Sequence, residues 1–357
     1  MLGARVEARG ERKKRGAFSF PRASCLASRA LMLYFLLLST SVLAQDLPHN
    51  PQPFATWLTD FKKEAATKGF DVAFLEKTFQ GVAPKERIIE LDRNQPEGKL
   101  TLNQYQTRTV TPQRIKTARK LLQENKMLLG KISQKYGVQP AYIIALWGME
   151  TDFGRLTGGF PLVEALTTLA YDGRRSEYFR KELYNALQIL KEGHISPEKF
   201  TGSWAGAMGQ CQFMPSSFLK FAVDETGDGH KDIWQTKADV FASIANYLRQ
   251  NAWNGAEEWG MEIIMPTFKS QQQREAFYAL HKQEKPLKVW RTMHLKTLDT
   301  KPLPALEASA TLIIPEQNGS RAFLVYKNHQ VLLNWNRSNL FALSVSKLAD
   351  AMREQPQ

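Results

Sequence analysis

Two cysteines, Cys25 and Cys211, occur in 357 residues. That is too few for a disulfide framework or for a cysteine-ligated zinc or iron–sulfur site. The serine-hydrolase elbow G-x-S-x-G, the metal-binding helix signature H-E-x-x-H and the phosphate-cradling P-loop are all missing, so the motif-borne routes to acyl transfer, zinc hydrolysis and nucleotide chemistry have no support. Acidic residues are the scarcer sign, 35 against 48 Lys and Arg, for a formal net charge of +13. Low-complexity tracts and internal repeats are also absent.

What the chain does have starts with a basic N-terminus, where Arg5, Arg9, Arg12, Lys13, Lys14, Arg15, Arg22 and Arg29 face only Glu7 and Glu11. The apolar stretch ALMLYFLLLSTSVLA follows; its roughly fourteen residues are too few for a comfortable membrane span. Basic region, apolar region and the small-residue end Val42-Leu43-Ala44 read as a signal peptide over residues 1–44, cleaved after Ala44. Cys25 leaves with it, so Cys211 has no disulfide partner, and the missing cysteine after the apolar stretch argues against a lipid anchor. Cleavage removes eight basic and two acidic side chains, leaving a net charge of about +7. That balance suits an acidic polymer, which for an exported protein means the cell envelope. Nucleic acid is not expected, because the basic residues are spread without a concentrated patch.

With 43% of its 357 residues hydrophobic, the chain can bury one large or two moderate cores. Helical periodicity begins at Phe54, Trp57, Leu58 and Phe61. DVAFLEKTF reads as a short helix, residues 112–136 as a longer one ended by Gly137, and residues 162–170, 174–192, 216–223 and 238–251 as further helices. PEGKLTLNQYQTRTVTPQRI reads as irregular. Near the C-terminus ATLIIP, AFLVY and QVLLNW are short β-branched or aromatic runs, read as strands of a small antiparallel sheet, and NLFALSVSKLADAMRE as a closing helix. The fold class is therefore α+β, predominantly α-helical. Its divisions are a helical body over 45–265, a small β-containing segment over 266–335, and a closing segment with a helix over 336–357.

One acidic residue has an environment that demands an explanation. From Ala141 to Met149 no side chain is charged, and then comes Glu150. Apolar residues fill every face of the helix predicted to start at Pro140, and Glu150 falls near its C-terminus. Burial and the negative end of the helix dipole both push a carboxyl toward its neutral form. A carboxylic acid kept protonated at working pH is what general acid catalysis requires. The alternative is a structural ion pair with an arginine. Asp152 is a competing acid, placed by Phe153-Gly154 in the following loop.

Two further stretches carry polar groups in unusual density. GSWAGAMGQCQFMPSSF, from Gly202 to Phe218, mixes small residues with Ser203, Gln210, Gln212 and Met214. Small residues let a backbone approach a ligand closely, and hydroxyls and amides suit a sugar. In DETGDGHKDIWQTKAD, Asp224, Thr226, Asp228 and Asp232 occupy positions one, three, five and nine of a calcium-loop spacing, with Gly229 at the glycine position and the His230 carbonyl at position seven. Gln235 stands at position twelve, where a bidentate glutamate is expected, and Asp239 is the nearest oxygen donor to replace it. A solvated turn is the competing reading of this loop. Tyr105, Trp147, Trp204, Trp234, Tyr247, Trp253, Trp335 and Phe341 are aromatics able to stack on sugar rings or to fill a core.

ALWGMETDFGRLTGGFPLVEALTTLAYDGRR, the Gly202–Phe218 stretch and DETGDGHKDIWQTKADVFASIANYL, in that order and spacing, resemble the lytic murein transglycosylase B family, glycoside hydrolase family 103. The resemblance runs from about Phe54 to the final helix. It implies a lysozyme-like catalytic core and cleavage of the β-1,4 bond between N-acetylmuramic acid and N-acetylglucosamine in peptidoglycan. One glutamate acts as acid and then as base, the muramic C6 hydroxyl closes on C1, and the product is 1,6-anhydromuramic with no water consumed. By matched motif the resemblance implies Glu150 as that glutamate. It implies Ser203 and Gln212 as saccharide contacts, Tyr105 as a subsite aromatic and Tyr247 as the tyrosine beside the glutamate. Asn336 would be an asparagine of the cleft, flanked by Trp335 and Phe341 where tyrosines also occur. Asp224, Thr226, Asp228, His230 and Asp239 would hold a structural calcium; no other cofactor is required. Glycan strands are the implied partner, with cell-wall synthases beside them, in a periplasmic protein without a stable membrane anchor. The competing expectations are a lysozyme-type hydrolase that uses water, and a non-catalytic murein-binding scaffold that has kept the cleft.

Overall fold

The computed structural model describes residues 50–94, 100–316 and 319–353. The signal peptide expected over residues 1–44 lies outside the described residues. In chain order the elements are α1 (Phe54–Thr67), α2 (Val72–Thr78), α3 (Glu86–Arg93), α4 (Leu102–Thr109), α5 (Pro112–Glu124), α6 (Lys126–Tyr136), α7 (Pro140–Thr151), β1 (Phe160–Pro161), α8 (Leu162–Asp172), α9 (Ser176–Lys191), β2 (Thr201–Gly202), α10 (Pro215–Phe221), α11 (Lys237–Gln250), β3 (Gly260–Ile263), α12 (Gln271–Tyr278), β4 (Glu284–Pro286), α13 (Leu287–Thr292), β5 (Ser309–Ile313), β6 (Ala322–Val325), α14 (Lys327–Trp335) and α15 (Asn339–Arg353). The α+β, predominantly helical class is the one observed.

α7 is the centre of the main core. Every residue from Ala141 to Gly148 is buried, as a helix apolar on all faces must be. α15, α5, α11 and α6 pack around it. α8 and α9 form the most extensive helix pair, and Arg174 and Arg175 at their corner both pair with the buried carboxylate of Asp92 on α3.

The small sheet has the antiparallel order β3-β6-β5-β4, with Gly260 and Thr311 both in register with Val325. All four residues of β6 are buried, because the strand separates two cores. Phe323 and Val325 point into the main core, while Ala322 and Leu324 point into a second one built on Trp290, Leu287 and Leu312. The sheet begins at Gly260, ahead of the segment boundary expected at residue 266.

Three local expectations need correcting. NQYQTRT is helix α4, not irregular: Thr101 and Gln104 form a reciprocal capping box, and Leu102 and Gln106 are buried at helical spacing. QVLLNW is the end of helix α14, not a strand. Asn328, Val331, Leu332 and Trp335 fall at intervals of three and four; the first three are buried and Trp335 packs against the main core. The helix over 112–136 is two helices, with Asn125 ending α5 and starting α6.

Candidate active site

Glu150 sits in the last turn of α7, partly buried, where the chain must leave the helix abruptly. It does so through two consecutive non-glycine residues in the left-handed region, Asp152 (φ 50°) and Phe153 (φ 63°). Such backbone is costly and persists only where its surroundings hold it. The Phe153 ring folds back over Gly148, where a β-carbon would meet ring carbon at 2.5 Å, and packs edge-on to Trp147. Thr151 Oγ1 accepts from the Gly154 amide at 3.0 Å and donates to the Gln210 carbonyl at 3.0 Å. Gln210 closes the brace: its Oε1 accepts from Trp147 Nε1 at 2.8 Å and its Nε2 donates to the Trp234 carbonyl at 2.8 Å.

That brace brings the Gly202–Phe218 loop alongside the end of α7. The short β1–β2 ladder starts the loop, with Phe160 opposite Gly202. Ser203 and Ala207 exchange hydrogen bonds, amide to carbonyl at 2.8 Å and amide to Ser203 Oγ at 3.0 Å. Gln212 is itself left-handed (φ 49°), and its Nε2 donates to the carbonyls of Thr157 and Gly209. This fixes the amide through its Nε2. Both side chains are partly exposed.

From the far side comes α14. Trp335 Nε1 donates to Glu150 Oε1 at 2.7 Å. Its ring is boxed by Tyr247 at 4.6 Å and Phe213 at 5.3 Å between centroids, and the Tyr247 hydroxyl donates to the Asn334 carbonyl at 2.7 Å. The structure thus joins Glu150, Trp335 and Tyr247 in one cluster. Burial pushes the Glu150 carboxyl up from 4.5 to about 7, with the Trp335 hydrogen bond acting in the opposite direction. Among the described residues no second carboxylate contributes to that shift. Asp152 is held well away from an acid's role: its burial is outweighed by ion pairs to Arg155 and Arg114, which keep it below the usual carboxylate range.

The remaining expected residues are placed as follows. Asn336 caps α14 at its C-terminus and accepts from the Ser338 amide. Tyr105 is half-buried on α4, which packs on α15. Phe341 lies on α15 but is 5% exposed within the main core, so little ring surface remains for a sugar. Cys211 is buried and donates its thiol to the Val240 carbonyl at 3.5 Å. Burial, reinforced by the nearby charges of Glu150 and Asp239, raises its pKa well above normal. It is a packing residue. Thr151 and the donor role of the Trp335 indole are the functional features that composition and spacing did not single out; Gln210 was flagged as a polar group of its loop, but for sugar contact and not for bracing the turn after Glu150. The signal for Thr151 was its adjacency to Glu150.

In the Asp224–Asp239 loop, Asp224 accepts from the amides of Gly227, Asp228 and Gly229 and from Thr226 Oγ1. Asp239 is fully buried and ties the two ends of the loop, accepting from the Glu225 and Asp232 amides. Asp232 turns instead to Trp234, Gln235 and Thr236 at the start of α11. The donors are all oxygens, as a hard cation needs. Among the described residues no three His, Cys, Asp or Glu side chains converge, so a cation here would depend on the Thr226 hydroxyl and the His230 carbonyl as well.

Residues 53–350 match the family described as the transglycosylase SLT domain. The chain is 37% identical over 150 residues to the membrane-bound lytic murein transglycosylase B of Escherichia coli K12, a stretch covering 42% of this chain and 41% of that protein. The match therefore spans less than half of the curated relative. Among solved structures, SltB3 from Pseudomonas aeruginosa in complex with NAG-NAM-pentapeptide superposes with a TM-score of 0.80 at 35% identity, covering 85% of this chain and 80% of that one. The Escherichia coli lytic transglycosylase Slt35 in complex with calcium gives 0.69 at 27% identity, covering 86% and 94%.

Proposed function

The chain belongs to the transglycosylase SLT domain family, and on that premise we propose that it is a peptidoglycan lytic transglycosylase with Glu150 as its acid and base. One observation carries the reading: Trp335 Nε1 donates to the Glu150 carboxyl at 2.7 Å, in a setting where burial pushes that carboxyl up to about 7 and, among the described residues, no second carboxylate acts on it. Hydrolytic glycosidases of the common kinds need two carboxylates. A lone glutamate suffices when the substrate supplies its own nucleophile.

Protonated Glu150 gives its proton to the glycosidic oxygen as the bond between N-acetylmuramic acid and N-acetylglucosamine breaks. The carboxylate left behind, steadied by the Trp335 N–H, takes the proton of the muramic C6 hydroxyl as that oxygen closes on C1. The products are a 1,6-anhydromuramoyl end and a free N-acetylglucosamine hydroxyl, and Glu150 is protonated again. Ser203, Gln212, Asn336 and Tyr105 serve as saccharide contacts, and Trp335 as wall and donor. Tyr247 and Phe341, both buried, shape the cleft from behind. We assign the chain to glycoside hydrolase family 103 and to the periplasm, exported by residues 1–44. Among the described residues no helix is long and apolar enough to cross a membrane. Glycan strands are the substrate, with cell-wall synthases as partners. Asp224, Thr226, Asp228, His230 and Asp239 would hold a structural calcium, which would stiffen the loop leading into α11 and take no part in the chemistry.

Digestion of purified sacculi in water labelled with heavy oxygen tests the reaction. Transglycosylation leaves the released muramoyl ends unlabelled; label at C1 would make the enzyme a hydrolase.

A further inference from the structure

Against the turn that follows Glu150 lies a groove of about 570 Å³ lined by Arg108, Arg114, Arg155, Asp152, Thr111 and Thr117, among others. Its charge is unbalanced. Arg114 and Arg155 share the single carboxylate of Asp152, Arg114 through Nε and Nη2 on Oδ1 at 3.2 Å and Arg155 through Nε on Oδ2 at 2.8 Å. The third arginine, Arg108, is exposed at the end of α4. Two guanidiniums on one carboxylate, with a third beside them, leave a net positive groove. Each arginine has five N–H donors in a planar fork. Arg155 uses two on Asp152, and Arg114 uses three, counting Nη1 on the Thr109 carbonyl at 2.6 Å. Among the described residues both therefore keep unused donors. The N-terminus of α5 adds to the field: Thr111 caps it, Pro112 opens it, and no acidic residue stands in its first turn.

A cationic groove of this kind is not needed for an uncharged sugar chain. It is matched to carboxylates, which Arg forks bind bidentately. Asp152 is two residues from Glu150, so their α-carbons are at most about 7 Å apart. A five-residue peptide attached to the muramoyl unit in the cleft can extend up to about 17 Å. The groove is within its reach.

Resting on the transglycosylase reading, we propose that the groove between α4, α5 and the 152–155 turn binds the carboxylates of the peptide stem carried by the muramoyl residue, with Arg108 and Arg155 as specificity-determining residues. The stem is then read by charge at Asp152–Arg155 while the glycan is cut at Glu150. The C-terminal carboxylate and internal carboxylates of the stem share this chemistry, and the substrate arms below separate them.

The experiment compares wild type with Arg108→Ala and with Arg108→Ala/Arg155→Ala on three substrates: peptide-bearing glycan strands, the same strands stripped of peptide, and strands whose stems are amidated at the C-terminus. The expected result is a loss of kcat/KM of about tenfold for the double variant on peptide-bearing strands, with activity on stripped strands within about twofold of wild type. Loss on the amidated strands by wild type itself assigns the terminal carboxylate; full activity there assigns an internal one. Equal effects of the substitutions on all three substrates, or none on any, would overturn the proposal. Calorimetric titration of free stem peptide into each protein is the readout independent of catalysis. Binding by wild type that weakens about tenfold in the double variant supports the groove, and unchanged or undetectable binding contradicts it. If wild type cleaves none of the three substrates, the transglycosylase reading fails, and the titration still decides whether the groove takes peptide.

Discussion

Trp335 and Glu150 are 185 positions apart in sequence, yet the indole N–H of one donates to the carboxyl of the other at 2.7 Å. The contact stands against the largest influence on Glu150, its burial, which favours the neutral acid. Burial keeps the proton on at neutral pH; the indole N–H gives the carboxylate formed during reaction one good partner. A group that must alternate between acid and base benefits from both.

The pH dependence of kcat/KM follows from this balance. The free enzyme needs Glu150 protonated, so activity should fall as pH rises through about 7. Trp335→Phe removes a donor that favours the ionised form, so the alkaline limb should move to higher pH while kcat falls, by about tenfold or more. A limb that stays in place or moves down would show that Trp335 does not tune Glu150.

Stability should fall in the same direction, over the window between the two pKa values. Glu150 is raised from 4.5 to about 7 in the folded chain. Below the lower value both states hold the proton and there is no penalty. Between the two the unfolded chain releases it first, so stability falls as pH rises, and above about 7 the loss is constant. The shift corresponds to a penalty on the order of 3 kcal/mol. Glu150→Gln should therefore match wild type near pH 4 and exceed its unfolding free energy at pH 8, measured by urea denaturation at both values. Equal stabilities at pH 8 would mean that the carboxyl is not strained by burial.

The brace behind the catalytic turn should be sensitive to small changes. Gly154 has φ +83°, and a β-carbon there would sit 2.2 Å from Gln210 Oε1, the atom that accepts from Trp147. Gly154→Ala should cost more than about 1 kcal/mol and most of the activity. Thr151→Val leaves the Gly154 amide and the Gln210 carbonyl without their partner, and should cost about 1–3 kcal/mol. Denaturation curves for both variants check this, and wild-type stability in either would deny the brace its role.

Calcium, if the loop takes it, should bind weakly, because Gln235 replaces the bidentate glutamate of the twelfth position. Millimolar calcium should raise Tm in wild type and not in Asp224→Asn, read by differential scanning calorimetry after chelator treatment. No rise in wild type would remove the metal from the account.

The sequence made α7 and Glu150 legible because an apolar run on all faces of a helix is a strong pattern and a carboxyl at its end breaks it. β5 and β6 were legible for the same kind of reason, as short β-branched or aromatic runs bounded by turn residues. α4 was not, because its signal is a capping box and two buried residues in a polar background. α14 was misread as a strand because Val331, Leu332 and Leu333 are contiguous; only their three-dimensional neighbours reveal that Asn328 and Trp335 share the buried side. Trp335 stood out as an aromatic, but its role as a donor to Glu150 depends on the return of the chain across the whole body, which no local pattern encodes. The arginine groove is likewise assembled from Arg108, Arg114 and Arg155 on separate elements, so no charge run announced it.

The most direct test of the central claim is mass spectrometry of the muropeptides released from purified sacculi by the protein and by Glu150→Gln. The account predicts 1,6-anhydromuramoyl products from wild type and none from the variant, with sacculus binding kept by both. Reducing-end products from wild type, or anhydro products from Glu150→Gln, would contradict it.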